Sequence, residues 1–277
     1  MTREPLLDQR PAPTSDRDSA ARGLHVNDAN LALGHEVFEA AGATFVRDKR
    51  FPDIHDANHV THVSASTPDE IDSLLRRVER EYAHCKHRKF HTDFTTPPQL
   101  EARLALEGYE PTDALVMLLE GRLRAEPKPH DIRSLDDDAG WRAFDALHAL
   151  DWQEHATRAK IEAPATVGEA LAATQRLKSP PVRVFLAYVD GEPAGYFNAW
   201  EGIDGVGQVE NLFVHPAYRH RGVATALIAH CVEDARAHGA GPVVIVSDPT
   251  DTPKHMYAAL GFRPVALKRG WLKRLGD

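Results

Sequence analysis

The chain has 277 residues, carries a formal net charge of −8, and is 42% hydrophobic and 27% charged. This length accommodates one large domain or two of ordinary size. A nucleic-acid binder would usually be basic, and no apolar run approaches the ~18 residues of a membrane-spanning helix. We therefore expect no nucleic-acid partner and no membrane partner.

Two features of the sequence favour a cytoplasmic location. The only cysteines are Cys85 and Cys231, which form no disulfide framework and suit a reducing compartment. Residues 1–22 mix Pro, Asp, Arg and Ser and lack the apolar stretch of a secretory signal. We predict a disordered tail over these residues.

The first half contains two predicted helices and a strand. In "STPDEIDSLL", Thr67 is the expected N-cap, a proline follows it, and Glu70 completes a capping box. A second helix is predicted from Thr96 to Gly108, followed by the strand "ALVMLLE". The proline-containing segment "GRLRAEPKPHD", residues 121–131, then predicts a boundary between two units.

The second half alternates strands and helices. After a helix in "GWRAFDALHAL", the strands "VRVFLAYV" and "AGYFNAW" flank an Asp190–Gly191 hairpin turn. A third strand, "QVENLFVHP", leads into a helix that follows Gly222 and has its apolar residues on one side. The strand "VVIV", a helix from Thr252 to Gly261 and a final pair of strands complete the predicted order.

An internal repeat links the two halves. The segment "LALEGYEP" (104–111) matches "YAALGFRP" (257–264) at a spacing of 261 − 108 = 153 residues, and each follows a Thr-Pro helix start. With the matching order of helices and strands, this predicts a duplicated fold. We expect a tail over 1–22, a first domain over 23–125 and a second domain over 126–277.

The stretch "HPAYRHRGVA", residues 215–224, joins a strand to a helix and has the properties of an anion site. The first N–H groups of a helix have no partner within it, and the helix dipole makes that end positive. A phosphate placed there accepts several N–H bonds, while Gly222 allows close approach of the backbone. Arg219 and Arg221 add positive charge.

These residues resemble the GCN5-related N-acetyltransferase (GNAT) family. "RHRGVA" fits that family's pyrophosphate-loop pattern, and "VENLFVHPAYRHRGVATAL" and "MYAALGF" follow in the family's order. The resemblance covers roughly residues 130–277. It implies an α+β protein with three α/β layers, built as two tandem GNAT-like domains. Each domain is expected to be a mixed, mostly antiparallel sheet flanked by helices.

The resemblance implies that acetyl-CoA is the cosubstrate. The pyrophosphate would sit on the loop and the start of the following helix, and the preceding strand would pair with the pantetheine arm through its free edge. The cofactor-binding residues implied in this way are Leu212, Phe213, Val214, Arg219, His220, Arg221, Gly222, Val223, Ala224 and Thr225.

Two residues are candidates for catalysis. By resemblance, Tyr257 would donate a proton to the leaving thiolate, a role that suits a group with a reference pKa near ~10. Glu210 would act as a general base, often through water. Strand alternation predicts that Glu210, Leu212 and Val214 share one face, which meets either the substrate or a helix. Each residue also has a structural alternative: Tyr257 as an aromatic anchor, Glu210 as a solvent-facing or arginine-paired carboxylate.

The acceptor is expected to bind near "LHALDWQEHATRAK", residues 147–160, where Asp151, Trp152, Glu154 and His155 lie. Acidic groups there would suit a cationic amine, although the ordinary polarity of loops and helices explains them at least as well. The family often has Asn before its last helix. Here the candidates for that contact are Asp248, Thr250 and Asp251.

The first half lacks the loop glycine and both arginines. Asp69 and Glu70 stand near its helix start instead, where carboxylates would oppose a phosphate and cap the helix themselves. We therefore predict a degenerate copy without a CoA site, which either shapes the acceptor pocket or only stabilises its partner. Tandem proteins of the family include mycothiol synthase, whose acceptor is an amino sugar.

The prediction for the whole chain is a cytoplasmic N-acetyltransferase that transfers acetyl from acetyl-CoA to a primary amine by direct attack in a ternary complex. The acceptor is a small molecule or a peptide, and the protein is a monomer or a homodimer. The histidines at 55–62 and 84–91 match no zinc spacing, so we expect no metal. The alternative is a non-catalytic protein that binds acyl-CoA.

Overall fold

A computed structural model describes residues 16–276. Short 3₁₀ turns span His55–Ala57 and Pro216–Tyr218. The helices and strands, numbered in chain order, are α1 (Asp16–Ala32), β1 (Glu36–Ala40), β2 (Ala43–Arg47), β3 (His59–Thr61), α2 (Pro68–Glu81), β4 (His87–Thr92), α3 (Pro98–Leu106), β5 (Glu110–Leu119), β6 (Asp131–Ser134), α4 (Asp138–Ala159), α5 (Ala165–Lys178), β7 (Arg183–Val189), β8 (Glu192–Ile203), β9 (Val206–Val214), α6 (Val223–Ala237), β10 (Val243–Ser247), α7 (Pro253–Leu260) and β11 (Arg263–Arg274).

One continuous sheet crosses both halves in the order β1-β2-β3-β4-β11-β5-β10-β9-β8-β7-β6. Only two neighbouring pairs, β3 with β4 and β9 with β10, are parallel, and the others are antiparallel. Seven α-helices of the described residues flank this sheet. The predicted fold class is therefore confirmed, with the two sets of strands joined edge to edge.

The predicted repeat is visible in the order of elements. β3–α2–β4–α3–β5 in the first half corresponds to β9–α6–β10–α7–β11 in the second, and each unit has one parallel strand pair. The helix ends match as well: the Tyr109 N–H donates to Leu104 O at 3.0 Å, and the Phe262 N–H donates to Tyr257 O at 3.0 Å. Both bonds close around a glycine with positive φ, as in a Schellman-type cap. A degenerate first copy is consistent with this arrangement.

The two halves exchange their last strands. β11 lies between β4 and β5, while β5 pairs with β10 on its other side. As a result, Met117 and Leu119 of β5 are buried in the core of the second half, and Trp271 of β11 is buried in the core of the first. The prediction of a final strand pair is wrong, because "RPVALKRGWLKR" is one long strand that finds partners on both sides in the first half. The division at residue 125 stays a prediction, and the sheet runs across it without interruption.

The N-terminal tail requires a correction over part of its length. Helix α1 begins at Asp16, and its Ser19 and Ala20 are buried, so residues 16–22 are ordered structure. The reason is packing: α1 covers the sheet where the halves meet, with Leu24 and Val26 against Val116 and neighbours from both halves. The rest of the predicted tail, residues 1–15, lies outside the described residues. Within residues 16–276, no helix is both long and apolar enough to cross a membrane.

Candidate active site

Helix α6 begins with an N-terminus that no side chain among residues 16–276 caps. Gly222 is the N-cap residue, with φ +90°, a conformation that glycine adopts without steric cost. No acidic residue lies in the first turn, and Val223, Ala224 and Thr225 line a cavity of about 480 Å³, which we call the loop cavity. The equivalent helix α2 is different, because Thr67 and Glu70 form the predicted capping box there. Backbone hydrogen bonds lower the pKa of Glu70 to about 2, so its carboxylate already occupies that helix end.

Strand β9 has an open edge beside the same cavity. β10 pairs with it only at Gly207 and Gln208, so the two strands separate further along. On its other side β9 pairs with β8 and contains a bulge. Glu210 pairs with Asn198 and Phe213 with Tyr196, so two residues of β9 lie opposite one residue of β8. Asn211 at the bulge has φ +60°. The strand therefore presents unpaired backbone groups where it passes the loop cavity.

The bulge overturns the predicted alternation along β9. Leu212 and Val214 pack with Val209 against the core under α6. Glu210 instead hydrogen-bonds Lys178 at the end of α5, with Oε1 2.9 Å from Nζ. The prediction that Glu210, Leu212 and Val214 share one face is wrong, because the extra residue at the bulge reverses the order of the faces.

Most of the residues predicted to bind the cofactor line the loop cavity. They are Leu212, Phe213, Val214, Arg219, His220, Gly222, Val223, Ala224 and Thr225. Arg221 is not among them, and its guanidinium lies over the Tyr218 ring, 5.5 Å from the ring centroid. The sequence motif thus brings nine of its ten residues to one cavity.

Two ion pairs link helix α4 to the other elements around the loop cavity. Arg219 donates to Glu154 at 2.6 Å and to the carbonyl of Val214 at 2.9 Å. Arg158 donates to Asp251 at 2.7 Å. Of the three candidates before the last helix, only Asp251 lines the cavity, while Asp248 accepts bonds from the backbone and hydroxyl of Thr250.

The comparisons with known proteins agree with this geometry. Residues 141–262 match the model of the acetyltransferase (GNAT) family. This part of the chain is a GNAT domain. A comparison with curated proteins finds no match.

Solved structures resemble the whole chain and not only the GNAT domain. The chain is similar to a GCN5-related N-acetyltransferase from Kribbella flavida, with 17% identity, a TM-score of 0.67, and coverage of 96% of this chain and 98% of that one. A functionally unknown conserved protein from Staphylococcus epidermidis has 16% identity and a TM-score of 0.64 over 87% and 95%. A tandem GNAT protein from the clavulanic acid biosynthesis pathway has 15% identity and a TM-score of 0.56 over 79% and 76%. At these identities the likeness concerns the fold.

Tyr257 of the GNAT domain lies behind the wall of the loop cavity. It is 6% exposed, belongs to the core beneath α6, and has its ring centroid 6.2 Å from that of Phe262. Its neighbour Met256 lines the cavity itself. Burial, with the nearby charge of Asp251, raises the pKa of Tyr257 to about 12, so the hydroxyl keeps its proton at neutral pH.

Glu210 belongs to a buried polar group behind β9. Lys178, to which it is paired, also donates to Asn30 of α1 at 2.7 Å, and the Gln208 amide donates to the second oxygen of Glu210 at 3.0 Å. The side chain of Glu210 is 14% exposed, and it is not among the residues that line the loop cavity. The buried Oδ1 of Asn198, which pairs with Glu210 between β8 and β9, has no hydrogen-bond partner among the described residues.

A second cavity, of about 700 Å³, opens between the two halves, and we call it the inter-half cavity. Asp151 and His155 line both cavities, whereas Trp152 lines the inter-half cavity and Glu154 the loop cavity. The region 147–160 therefore reaches both spaces, and its expected part in binding the acceptor stays a prediction.

Sequence reasoning missed the contribution of the first half to this second cavity. Asp53, His55, Asp56 and Lys89 line it. No motif marks them, because they come from the turn after β2 and from β4, which the fold brings next to α4 only through the shared sheet. Among residues 16–276, no three His, Cys, Asp or Glu side chains converge as a metal site requires.

Proposed function

We propose that this protein transfers the acetyl group of acetyl-CoA to a primary amine of a small molecule or peptide. One observation carries the proposal: the uncapped N-terminus of α6 and the open edge of β9 face the same cavity. The N-terminus of α6 offers hydrogen-bond donors to a pyrophosphate, and the open edge of β9 offers backbone groups to a pantetheine arm. The GNAT family of residues 141–262 supports the same activity. We expect the protein to act in the cytoplasm, where acetyl-CoA is available to it.

The chemistry requires a donor for the carbonyl oxygen and a proton for the sulfur. At the bulge around Asn211 and Leu212 the backbone is unpaired on β9, so an N–H there is free to stabilise the oxyanion. Tyr257 is protonated at neutral pH, as a donor to the leaving thiolate must be, and its chain neighbour Met256 lines the cavity. The amine attacks directly, with both substrates bound. The roles of Tyr257 and of Glu210 stay predictions.

A thiol-release assay over a panel of amines tests the proposal. We expect free CoA to appear with acetyl-CoA and at least one amine, and Tyr257→Phe to slow its release about 10²-fold, the low end of the usual effect of a general acid. Acetyl-CoA affinity, measured by calorimetry, is expected to stay within two-fold. Tyr188→Phe is the matched control, since Tyr188 lies on β7 outside both cavities.

Two results would reject the activity. Tight binding of acetyl-CoA with no thiol release from any amine would identify a non-catalytic acyl-CoA-binding protein. Failure to bind acetyl-CoA at all would point to a purely structural role.

A further inference from the structure

The inter-half cavity lies beside the loop cavity, where an acceptor amine must approach the acetyl group. The two cavities share Asp151 and His155, and the bulge of β9 divides them, with Asn211 on one side and Leu212 on the other. A volume of about 700 Å³ lies within the range of small-molecule sites. A molecule in this cavity can therefore present an amine to the bulge without crossing the cofactor's space.

The charge of the inter-half cavity is negative. Four carboxylates line it, from Asp53, Asp56, Asp151 and Glu162, against two cations, Lys89 and Arg274. Lys89 is bound to Asp56 at 2.8 Å, so the remaining groups leave an excess of carboxylate. Two histidines of the wall add little positive charge, because burial lowers the pKa values of His55, to about 4, and of His148.

The polar groups of the cavity wall suit a ligand with several hydrogen-bonding groups. Gln175 Oε1 accepts from the side-chain amide of Asn211 at 2.8 Å, which fixes both residues beside the bulge. The buried Nδ1 of His148 has no partner among the described residues, although this side chain lines the same cavity. An unpaired buried nitrogen costs free energy unless water or a ligand satisfies it.

Asp151 is held at the junction of the two cavities. The hydroxyl of Tyr196 donates to its Oδ2 at 2.7 Å, and Tyr196 itself is fully buried between the rings of Phe144 and Phe213. This packing fixes the direction of the carboxylate. Burial raises the pKa of Asp151, which brings it closer to neutrality and improves it as a proton acceptor.

We propose that the inter-half cavity is the acceptor site, that it takes a cationic amine, and that Asp151 receives the proton which frees this amine to attack. The inference rests on the proposed acetyl transfer and adds its substrate class and its base. It also gives the first half a role, since Asp53 and Asp56 form a wall that the GNAT domain alone does not have.

The steps balance as follows. The ammonium gives one proton to Asp151, and the neutral nitrogen forms a bond to the acetyl carbon. The carbon–sulfur bond breaks, and the thiolate takes the proton of Tyr257. The attacking nitrogen loses a second proton, which restores Tyr257 through solvent, and Asp151 releases its own proton to bulk water. One proton is released in total for each amide formed.

The test compares carboxylate-to-amide variants with amines of different charge. The probes are 1,4-diaminobutane, glucosamine and 4-aminobutyrate, and the proteins are the wild type, Asp151→Asn, Asp53→Asn and Glu210→Gln. We expect the diamine and the amino sugar to react, and 4-aminobutyrate, whose carboxylate the acidic wall repels, to react at least tenfold more slowly. Asp151→Asn is expected to lower kcat 10²-fold or more, and Asp53→Asn to raise KM for the diamine about fivefold at unchanged kcat.

Controls separate a lost base from a lost fold. In Asp151→Asn the side-chain oxygen can still accept the hydrogen bond from Tyr196. Asp151→Glu keeps a carboxylate at this position. The unfolding midpoints of all variants check that the fold around the cavity survives. Glu233→Gln removes the same charge from the exposed face of α6. Unchanged kcat in Asp151→Asn, loss of kcat only in Glu210→Gln, or preference for 4-aminobutyrate over the diamine would overturn the inference. If no amine reacts, binding of the diamine is measured by calorimetry. Binding that Asp53→Asn weakens still supports the acceptor site, whereas no binding of the diamine rejects the site.

Discussion

The guanidinium of Arg219 lies 2.6 Å from the carboxylate of Glu154, so the loop before α6 and the helix α4 are joined beside the loop cavity. Arg158 and Asp251 form a similar bridge at 2.7 Å between α4 and the turn before α7. Two arginines that line the loop cavity, Arg219 and Arg158, are therefore paired with carboxylates of the same chain. A bound pyrophosphate must compete with Glu154 for Arg219.

Removing that competition should strengthen cofactor binding. Glu154→Gln frees Arg219 and deletes a negative charge beside the phosphates, and both effects favour the anion. An exposed pair of this kind is worth about 0.2–1 kcal/mol, so we expect the Kd of acetyl-CoA to fall by up to about fivefold at low salt. Titration calorimetry at two salt concentrations measures it. Weaker binding in Glu154→Gln than in Glu233→Gln would show that the pair orders the loop instead.

Gly222 allows a test of the helix terminus that separates charge from backbone strain. Gly222→Glu places a side chain at φ +90° and a carboxylate at the uncapped end of α6, while the nearest atom to a new Cβ, on Lys128, is 3.6 Å away. Gly191 has φ +87° in a hairpin turn with open space around it, so Gly191→Glu carries the same strain. We expect each variant to lose about 1–2 kcal/mol of unfolding free energy, and only Gly222→Glu to lose acetyl-CoA binding. Equal affinities in the two variants would rule out a pyrophosphate at this helix end.

The strand exchange predicts that first-half residues stabilise the second half. Met117 of β5 is 2% exposed in the core of the GNAT domain, and Met117→Ala should cost about 2–5 kcal/mol of unfolding free energy. Leu106→Ala is the control, because Leu106 is 82% exposed at the end of α3 and should change little. Urea unfolding measures both. A fragment of residues 126–277 that unfolds cooperatively without β5 would contradict the prediction.

Buried histidines of the first half should make the protein sensitive to acid. Burial lowers the pKa values of His55, His59 and His87 from 6.5 to about 4. Below pH 6.5 the unfolded chain binds protons that the folded chain does not, so stability is present above that pH and is lost towards pH 4. His62 opposes this trend, since its hydrogen bond to Asp28 raises its pKa.

The measurement is the urea midpoint at pH 7.5 and at pH 5. We expect the urea midpoint of the wild type to fall clearly at pH 5, and that of His87→Asn to fall less. His25→Asn is the control, because the side chain of His25 is 56% exposed, and it should behave like the wild type. Equal falls in His87→Asn and the wild type would exclude His87 as a source of the effect.

Local sequence signals predicted the helix ends around the candidate site well, because they act through the backbone. The capping box at Thr67 and Glu70 and the glycine that begins α6 depend on neighbouring residues, and the structure has them as expected. The repeat around Gly108 and Gly261 likewise reflects a local cap that both halves keep. For the same reason the loop residues were found together from one motif.

Features set by distant contacts were missed. Strand periodicity assumes a regular strand, so it misplaced Glu210 relative to Leu212. Asn211, a residue type that tolerates positive φ, was the one local hint of a bulge. Nothing in the sequence of β11 distinguishes pairing with β4 from pairing within its own half, because backbone hydrogen bonds of the same kind form in either sheet. Residues 16–22 are ordered because α1 packs against the sheet, and the surface it packs against exists only once the strands of both halves have assembled.

The place of β11 between β4 and β5 constrains how the protein matures during translation. Residues 263–274 are synthesised after every other strand of the sheet, yet they fill a position within its first-half side. Until they leave the ribosome, β4 and β5 each expose an unpaired edge that other chains can pair with. The first half therefore cannot complete its fold before the second half is synthesised. Separate domains, in contrast, usually fold one after the other during synthesis. Completion of both halves is a single, late event.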